Sequence, residues 1–182
     1  MGAEQGDATE EPVLTGARVR LRRWGHADLD VIHRACQDPE IQRWTQVPSP
    51  YVEGSAQGFV EHVVPATRAQ GGASFAVEAA DGLVGSIALH HAWDGVGEIG
   101  YWMAPWARGR GLLQDALITL CRWCFDELGL ARVEMLIEPD NHASRLVAVQ
   151  AGFSEEGTLR RRLLLRGHRH DVVMYALLDD ER

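Results

Sequence analysis

Gly97-Glu98-Ile99-Gly100-Tyr101-Trp102-Met103-Ala104-Pro105-Trp106-Ala107-Arg108-Gly109-Arg110-Gly111-Leu112-Leu113 reads as a strand, a glycine loop and a helix in direct succession. Residues 96–103 form the strand, and Pro105 keeps it from running on, because proline lacks the N–H for a ladder bond. The helix runs to about Leu128, with Leu113, Ala116, Leu117, Leu120, Cys121, Cys124, Phe125 and Leu128 spaced three and four apart on one wide apolar face. Between them, Arg108-Gly109-Arg110-Gly111 lets backbone N–H groups turn toward one point. The first N–H groups of the helix have no internal partner and lie at its positive end. Together these make an anion cradle suited to a diphosphate, with Arg108 and Arg110 as further donors. The alternative is a plain glycine turn with two solvated arginines. No Gly-Lys-Ser/Thr follows, so the loop is not a Walker A motif.

Upstream, residues 74–79 and 83–91 read as two more strands, joined to each other and to 96–103 by Asp81-Gly82 and Asp94-Gly95, both strong hairpin signals. The cradle therefore follows an antiparallel meander and not the βαβ unit of a dinucleotide-binding fold. Residues 17–23 alternate, with Val19 and Leu21 on one face and arginines on the other, as in a half-solvated strand. Asp28 is placed to cap a helix carrying Leu29, Val31, Ile32 and Ala35. Residues 38–50 are turn-rich, and a second helix over 55–64 stops at Pro65. Downstream, 132–137 is a strand, Asn141 caps a short helix ending at Gly152-Phe153, and 158–165 and 171–178 pair around Arg166-Gly167-His168. The expected architecture is an α/β domain over 13–182: a mixed, mostly antiparallel sheet of about seven strands with helices on both faces.

The formal charge of −8 disfavours nucleic acid and makes an amine-bearing partner electrostatically easier. No apolar run is long enough to span a bilayer, so no membrane contact is expected. Residues 1–12 hold four acids and few apolar groups and read as a flexible tail without the features of a secretion signal. Three cysteines do not make a disulfide framework, and a cytoplasmic location is the default. Cys121 and Cys124 lie mid-helix, where no helix end lowers a thiol pKa, and read as core. The eight histidines show no metal spacing, so no metal is expected.

From about Leu14 to Leu178 the chain resembles the GNAT superfamily of N-acetyltransferases, in the branch of the RimJ/RimL-type ribosomal-protein N-acetyltransferases. The resemblance rests on Asp38-Pro39-Glu40, on the strand from Gly97 to Trp102 and on Arg108-Gly109-Arg110-Gly111. It extends to Glu138-Pro139-Asp140-Asn141-His142-Ala143-Ser144, Gly152-Phe153, His170-Asp171 and Tyr175. The family signature is Gln/Arg-x-x-Gly-x-Gly/Ala; Arg108 and Gly111 match it and Leu113 departs from it. The resemblance implies acetyl-CoA as the acyl-donor cosubstrate, its diphosphate on the amides of Gly109, Arg110, Gly111, Leu112 and Leu113. It further implies a pantetheine arm along Tyr101, Trp102 and Met103 in a V-shaped gap between two splayed strands, with Asn141 nearby.

Attack on a thioester needs a neutral amine, so a general base is useful. The resemblance points to Glu98 for that role, with His90 and His91 as rivals, and to Ser144 as the group that protonates the departing thiolate. The alternatives are a solvated strand glutamate and a serine serving the helix N-terminus. Trp44, Tyr51 and His90 are expected at the acceptor pocket; for the two aromatic residues the alternative is a place in the core. Arg160, Arg161, Arg162, Arg166 and Arg169 crowd the last hairpin. A solvated surface, an acidic substrate, the coenzyme's outer phosphate and a partner subunit in a homodimer are the uses open to them. The expected activity is direct acetyl transfer to a primary amine, on a protein N-terminus or a small molecule. A larger donor such as succinyl-CoA, or a non-catalytic acyl-CoA-binding module, are the competing readings.

Overall fold

The computed structural model describes residues 12–182, so nearly all of the tail expected over 1–12 lies outside the described residues. Eight strands form one sheet in the order β1-β2-β3-β4-β5-β6-β8-β7. They are β1 (Leu14–Thr15), β2 (Arg20–Arg22), β3 (Ala73–Ala79), β4 (Gly82–Trp93), β5 (Val96–Met103), β6 (Arg132–Ile137), β7 (Ser154–Leu165) and β8 (His168–Leu178). Only β5 and β6 run parallel; every other neighbouring pair is antiparallel. Asp94 and Gly95 both take positive φ, 51° and 75°, as the tight turn between β4 and β5 requires.

Helices cover both faces, and the alternation of β5 divides them. Ile99 and Met103 join one core with α5 (Leu112–Asp126) and with Ala148 of α6 (His142–Gln150). Trp102 points the other way, into a second core with α1 (Leu29–Cys36), α2 (Pro39–Trp44) and α3 (Ser55–Gly58). Cys121 and Cys124 are buried in α5, and burial pushes both thiols up, Cys124 to about 12, as expected of core cysteines.

Four local expectations change. The strand expected over 17–23 shrinks to β2, because the amides of Ala17, Arg18 and Val19 donate to the Asp115 carboxylate on α5 (3.1, 2.7 and 3.0 Å) instead of to a strand. Asp28 does not cap α1; its carboxylate accepts from the Gly25 amide and from Arg22 at 2.9 and 2.8 Å. Residues 38–50 contain α2, whose start carries a signal that was legible: Asp38 accepts from the Ile41 amide at 3.0 Å and Pro39 occupies the first turn. The helix expected to stop at Pro65 continues through a π turn (Phe59–Val63) into α4 (Val64–Ala69). The wider turn makes room for the proline ring, and its missing N–H falls at the start of a fresh α segment.

Candidate active site

The sheet is open at one place. β5 and β6 pair only through Val96–Arg132, Gly97–Val133 and Glu98–Glu134. Beyond Glu98, β5 pairs with β4 alone, as far as Met103–Gly85, while β6 continues on β8 to Ile137–Val173. From Ile99 to Met103 one edge of β5 thus has no strand partner, which is the V-shaped gap expected between the fourth and fifth predicted strands. The side chains of Glu98 and Trp102 belong to the α1–α3 face, on which Gly100 leaves a gap, and those of Ile99, Tyr101 and Met103 to the α5–α6 face.

On the α5–α6 face a side-chain bridge crosses from β5 to the start of α6. The Tyr101 hydroxyl and Ser144 Oγ lie 2.6 Å apart, and either oxygen can donate. Ser144 also donates its amide to Asn141 Oδ1 at 3.1 Å, so Asn141 is the cap of α6. Burial raises the Tyr101 phenol and the Ser144 hydrogen bond only partly opposes it, so the phenol keeps its proton at neutral pH. The same turn of α6 is anchored by Arg145, which donates to the Tyr175 hydroxyl and to the Pro139 carbonyl, both at 3.1 Å. Tyr175 is 1% exposed, so this member of the recognised pattern supports the helix rather than meeting a substrate.

On the α1–α3 face, β4 carries an extra residue, His90, where its register with β5 shifts between Leu89 and His91. The His90 ring lies against Gly100, and a Cβ on Gly100 would overlap Nε2. Part of the residue meets solvent, yet the protein packed around the ring holds the imidazole below its ordinary value, with the charge of Glu98 pulling it back up. Glu98 is half-buried and stands opposite His91 in the ladder. The structure therefore brings Glu98 and His90 together on one side of β5 and sets Ser144 on the other.

The glycine loop runs directly into α5, as the sequence predicts. Gly109 and Gly111 take φ of 71° and 70°, and Gly111 is the N-terminal cap of α5. Leu112 is buried and Leu113 packs against the core, so the departure at Leu113 leaves the first-turn amides at the helix end. The two arginines are committed elsewhere: Arg108 Nη2 lies 2.6 Å from Asp38 Oδ1 and Arg110 Nη1 lies 2.7 Å from Asp81 Oδ2. A cation the sequence reading missed stands over the loop instead. Arg18 Nη1 would be 3.2 Å from a Cβ on Gly111. No local pattern marks Arg18; the grip of Asp115 on its backbone brings it there.

A cleft of about 400 Å³ opens between α2 and the β7–β8 hairpin, lined by Gln42, Arg43, Ser49, Arg166, His168 and His170 among others. Trp44, Tyr51 and His90 do not line it. Tyr51 is 6% exposed and belongs to the second core, whereas Trp44 donates its indole N–H to Glu40 and stacks under Arg43. His170 Nδ1 lies 2.8 Å from Glu138 Oε2, which ties the hairpin to the segment just after β6.

The acetyltransferase (GNAT) domain family profile matches residues 18–154. YdaF of Bacillus subtilis (strain 168), named provisionally as a ribosomal N-acetyltransferase, is 39% identical over 134 residues, covering 70% of this chain and 73% of that protein. The ribosomal-protein-serine acetyltransferase of Escherichia coli (strain K12) is 31% identical over 104 residues, 56% of this chain and 58% of that one. Among solved structures, RimJ of Mycobacterium smegmatis in complex with CoA-disulfide superposes with a TM-score of 0.78 at 26% identity, covering 94% of this chain and 87% of that one. The sheet with its single open seam and the profile match over most of the sequence agree: the chain belongs to the GNAT acetyltransferase family and is an N-acetyltransferase, moving an acetyl group to an amine.

Proposed function

We propose that the donor is acetyl-CoA, held along the unpaired edge of β5 with its diphosphate on the amides from Gly109 to Leu113, and that the acceptor is a protein N-terminal amine. The observation that carries this reading is the opening of β5 from β6 just past Glu98, with different chemistry on its two sides. The names of the Bacillus and Escherichia relatives support a protein acceptor, and the coenzyme in the Mycobacterium structure supports the donor. The three free, buried cysteines suit a cytoplasmic enzyme.

In this reading the amine nitrogen attacks the thioester carbonyl carbon from the α1–α3 face. Glu98 takes the proton released from nitrogen, directly or through one water. The C–S bond then breaks, and sulfur receives the Ser144 hydroxyl proton on the α5–α6 face while Ser144 takes the Tyr101 phenol proton, which solvent restores before the next turnover. Tyr101 fixes the direction of that hydroxyl through its 2.6 Å hydrogen bond. With base and acid on opposite sides of one strand, the incoming and leaving groups do not compete for the same space.

The test is a pH–rate profile for Glu98→Gln and Ser144→Ala with acetyl-CoA and N-terminal peptides. Glu98→Gln is expected to lose about 10²–10⁴-fold in kcat/KM near neutral pH, a deficit that shrinks as pH rises and more amine is already neutral. Ser144→Ala is expected to lower kcat with little change in the KM for acetyl-CoA, because protonation of the leaving group follows attack. A Glu98→Gln profile parallel to wild type at every pH would remove Glu98 from that role and make His90, which lies against Gly100, and His91 the next residues to test.

A further inference from the structure

We infer that the acceptor carries a carboxylate close to its reacting amine and that the cleft between α2 and the β7–β8 hairpin reads it; this rests on the peptide-acceptor reading above. The chain as a whole is acidic, at −8, yet the charged side chains lining this cleft are Arg43 and Arg166, beside the imidazoles of His168 and His170, with no carboxylate among the lining residues. The surrounding cations are uncompensated. Among the described residues, the guanidinium groups of Arg43, Arg160, Arg161, Arg162, Arg166 and Arg169 have no carboxylate within 4.0 Å, although the Arg161 amide donates to Asp171, whereas those of Arg20, Arg22, Arg108, Arg110, Arg132, Arg145 and Arg182 each hold one.

The cleft is built rather than incidental. Arg166 Nη2 donates to the backbone carbonyls of Thr45 and Val47 at 3.2 and 2.9 Å, so neutral acceptors pin the guanidinium across the cleft and leave its charge unmatched. Arg166 does so from φ 47°, a left-handed turn position that glycine or asparagine occupies at lower cost. Arg43 is oriented by the Trp44 ring, 4.3 Å away, another contact that leaves its charge without a counterion. Two ties place the cleft beside the seam: His170 to Glu138 just after β6, and Asp38 at the cap of α2 to Arg108 of the cradle. It lies against α2, on the face of the sheet that holds Glu98. A substrate whose amine reaches Glu98 can thus set a nearby anion against Arg43 and Arg166.

The experiment measures initial rates with acetyl-CoA on a set of N-terminal peptides that differ only at the second to fourth residues, bearing Asp or Glu, Asn or Gln, or Lys. Free aspartate and glutamate form a separate arm that distinguishes a small acidic acceptor from a peptide. Acidic peptides are expected to exceed their amide counterparts by about tenfold or more in kcat/KM, a ratio that falls as salt is raised. Arg43→Glu and Arg166→Asn, the second chosen to suit the left-handed turn, are expected to bring the ratio close to one. Wild-type rates indifferent to the acid overturn this inference and leave the acetyltransferase reading standing. Variants that keep the acidic preference but weaken acetyl-CoA binding also overturn it, since the cations would then serve the coenzyme. Turnover of no peptide and no amino acid overturns the acceptor reading and this inference together.

Discussion

Two arginine-bearing segments look alike in the sequence and behave differently in the fold. Arg108 and Arg110 flank a glycine before α5, and five arginines surround the turn between β7 and β8. In the first segment the charges are matched by Asp38 and Asp81, residues far away in the chain. In the second, none of the five guanidinium groups has a carboxylate partner among the described residues. Local sequence therefore shows where cations are but not which are free to meet an anion. The two arginines of the glycine loop are already paired, whereas the hairpin keeps its side-chain charge available.

This contrast can be broken most forcefully at Gly111. Its φ is 70° and a Cβ there would crowd Arg18, so Gly111→Val should cost acetyl-CoA affinity about 100-fold or more by closing the approach to the amides. Calorimetry on a variant shown by circular dichroism to be folded checks this, and wild-type affinity would remove the diphosphate from the loop. Arg108→Ala should cost much less, under about tenfold in the same measurement, because the guanidinium is already paired and partly exposed.

The paired segment should also leave a signature in acid. Burial pushes the Asp38 carboxyl up, but Arg108 and the Ile41 amide outweigh it and hold the group below the usual carboxylate range. A depressed folded-state pKa stabilises the native state above the unfolded value of about 4, and that contribution is lost as pH falls through the folded value. Urea midpoints measured from pH 5 downward should fall more steeply for wild type than for Arg108→Ala. The smallest effect is expected on the hairpin: Arg160→Ala and Arg162→Ala should change stability by no more than about 0.5 kcal/mol, since their side chains are exposed and hold no carboxylate. A larger loss by urea titration would show a structural role there.

What was legible in the sequence follows the range of the interactions. The meander, the cradle, α5 and the Asn141 cap depend on neighbours within a few residues, and all appear where expected. α2 was also written locally, in Asp38-Pro39, but the turn-rich composition around it hid the signal. The shortened β2 was not legible, because its cause is Asp115, nearly a hundred residues on. Separation along the chain also conceals Arg18 above Gly111 and, over 43 residues, the bridge between Tyr101 and Ser144. Tyr51 shows the converse limit: an aromatic residue beside a loop suits a pocket or a core equally well, and its burial places it in the core.

The grip of Asp115 on three successive amides has a consequence for local dynamics. Ala17, Arg18 and Val19 lie outside the strands, where backbone hydrogens ordinarily exchange with solvent quickly. Here all three are held by a carboxylate in the first turn of α5, the same turn that ends the cradle. Their exchange rates therefore record the opening of that helix end, read from a corner of the chain that itself carries no strand or helix.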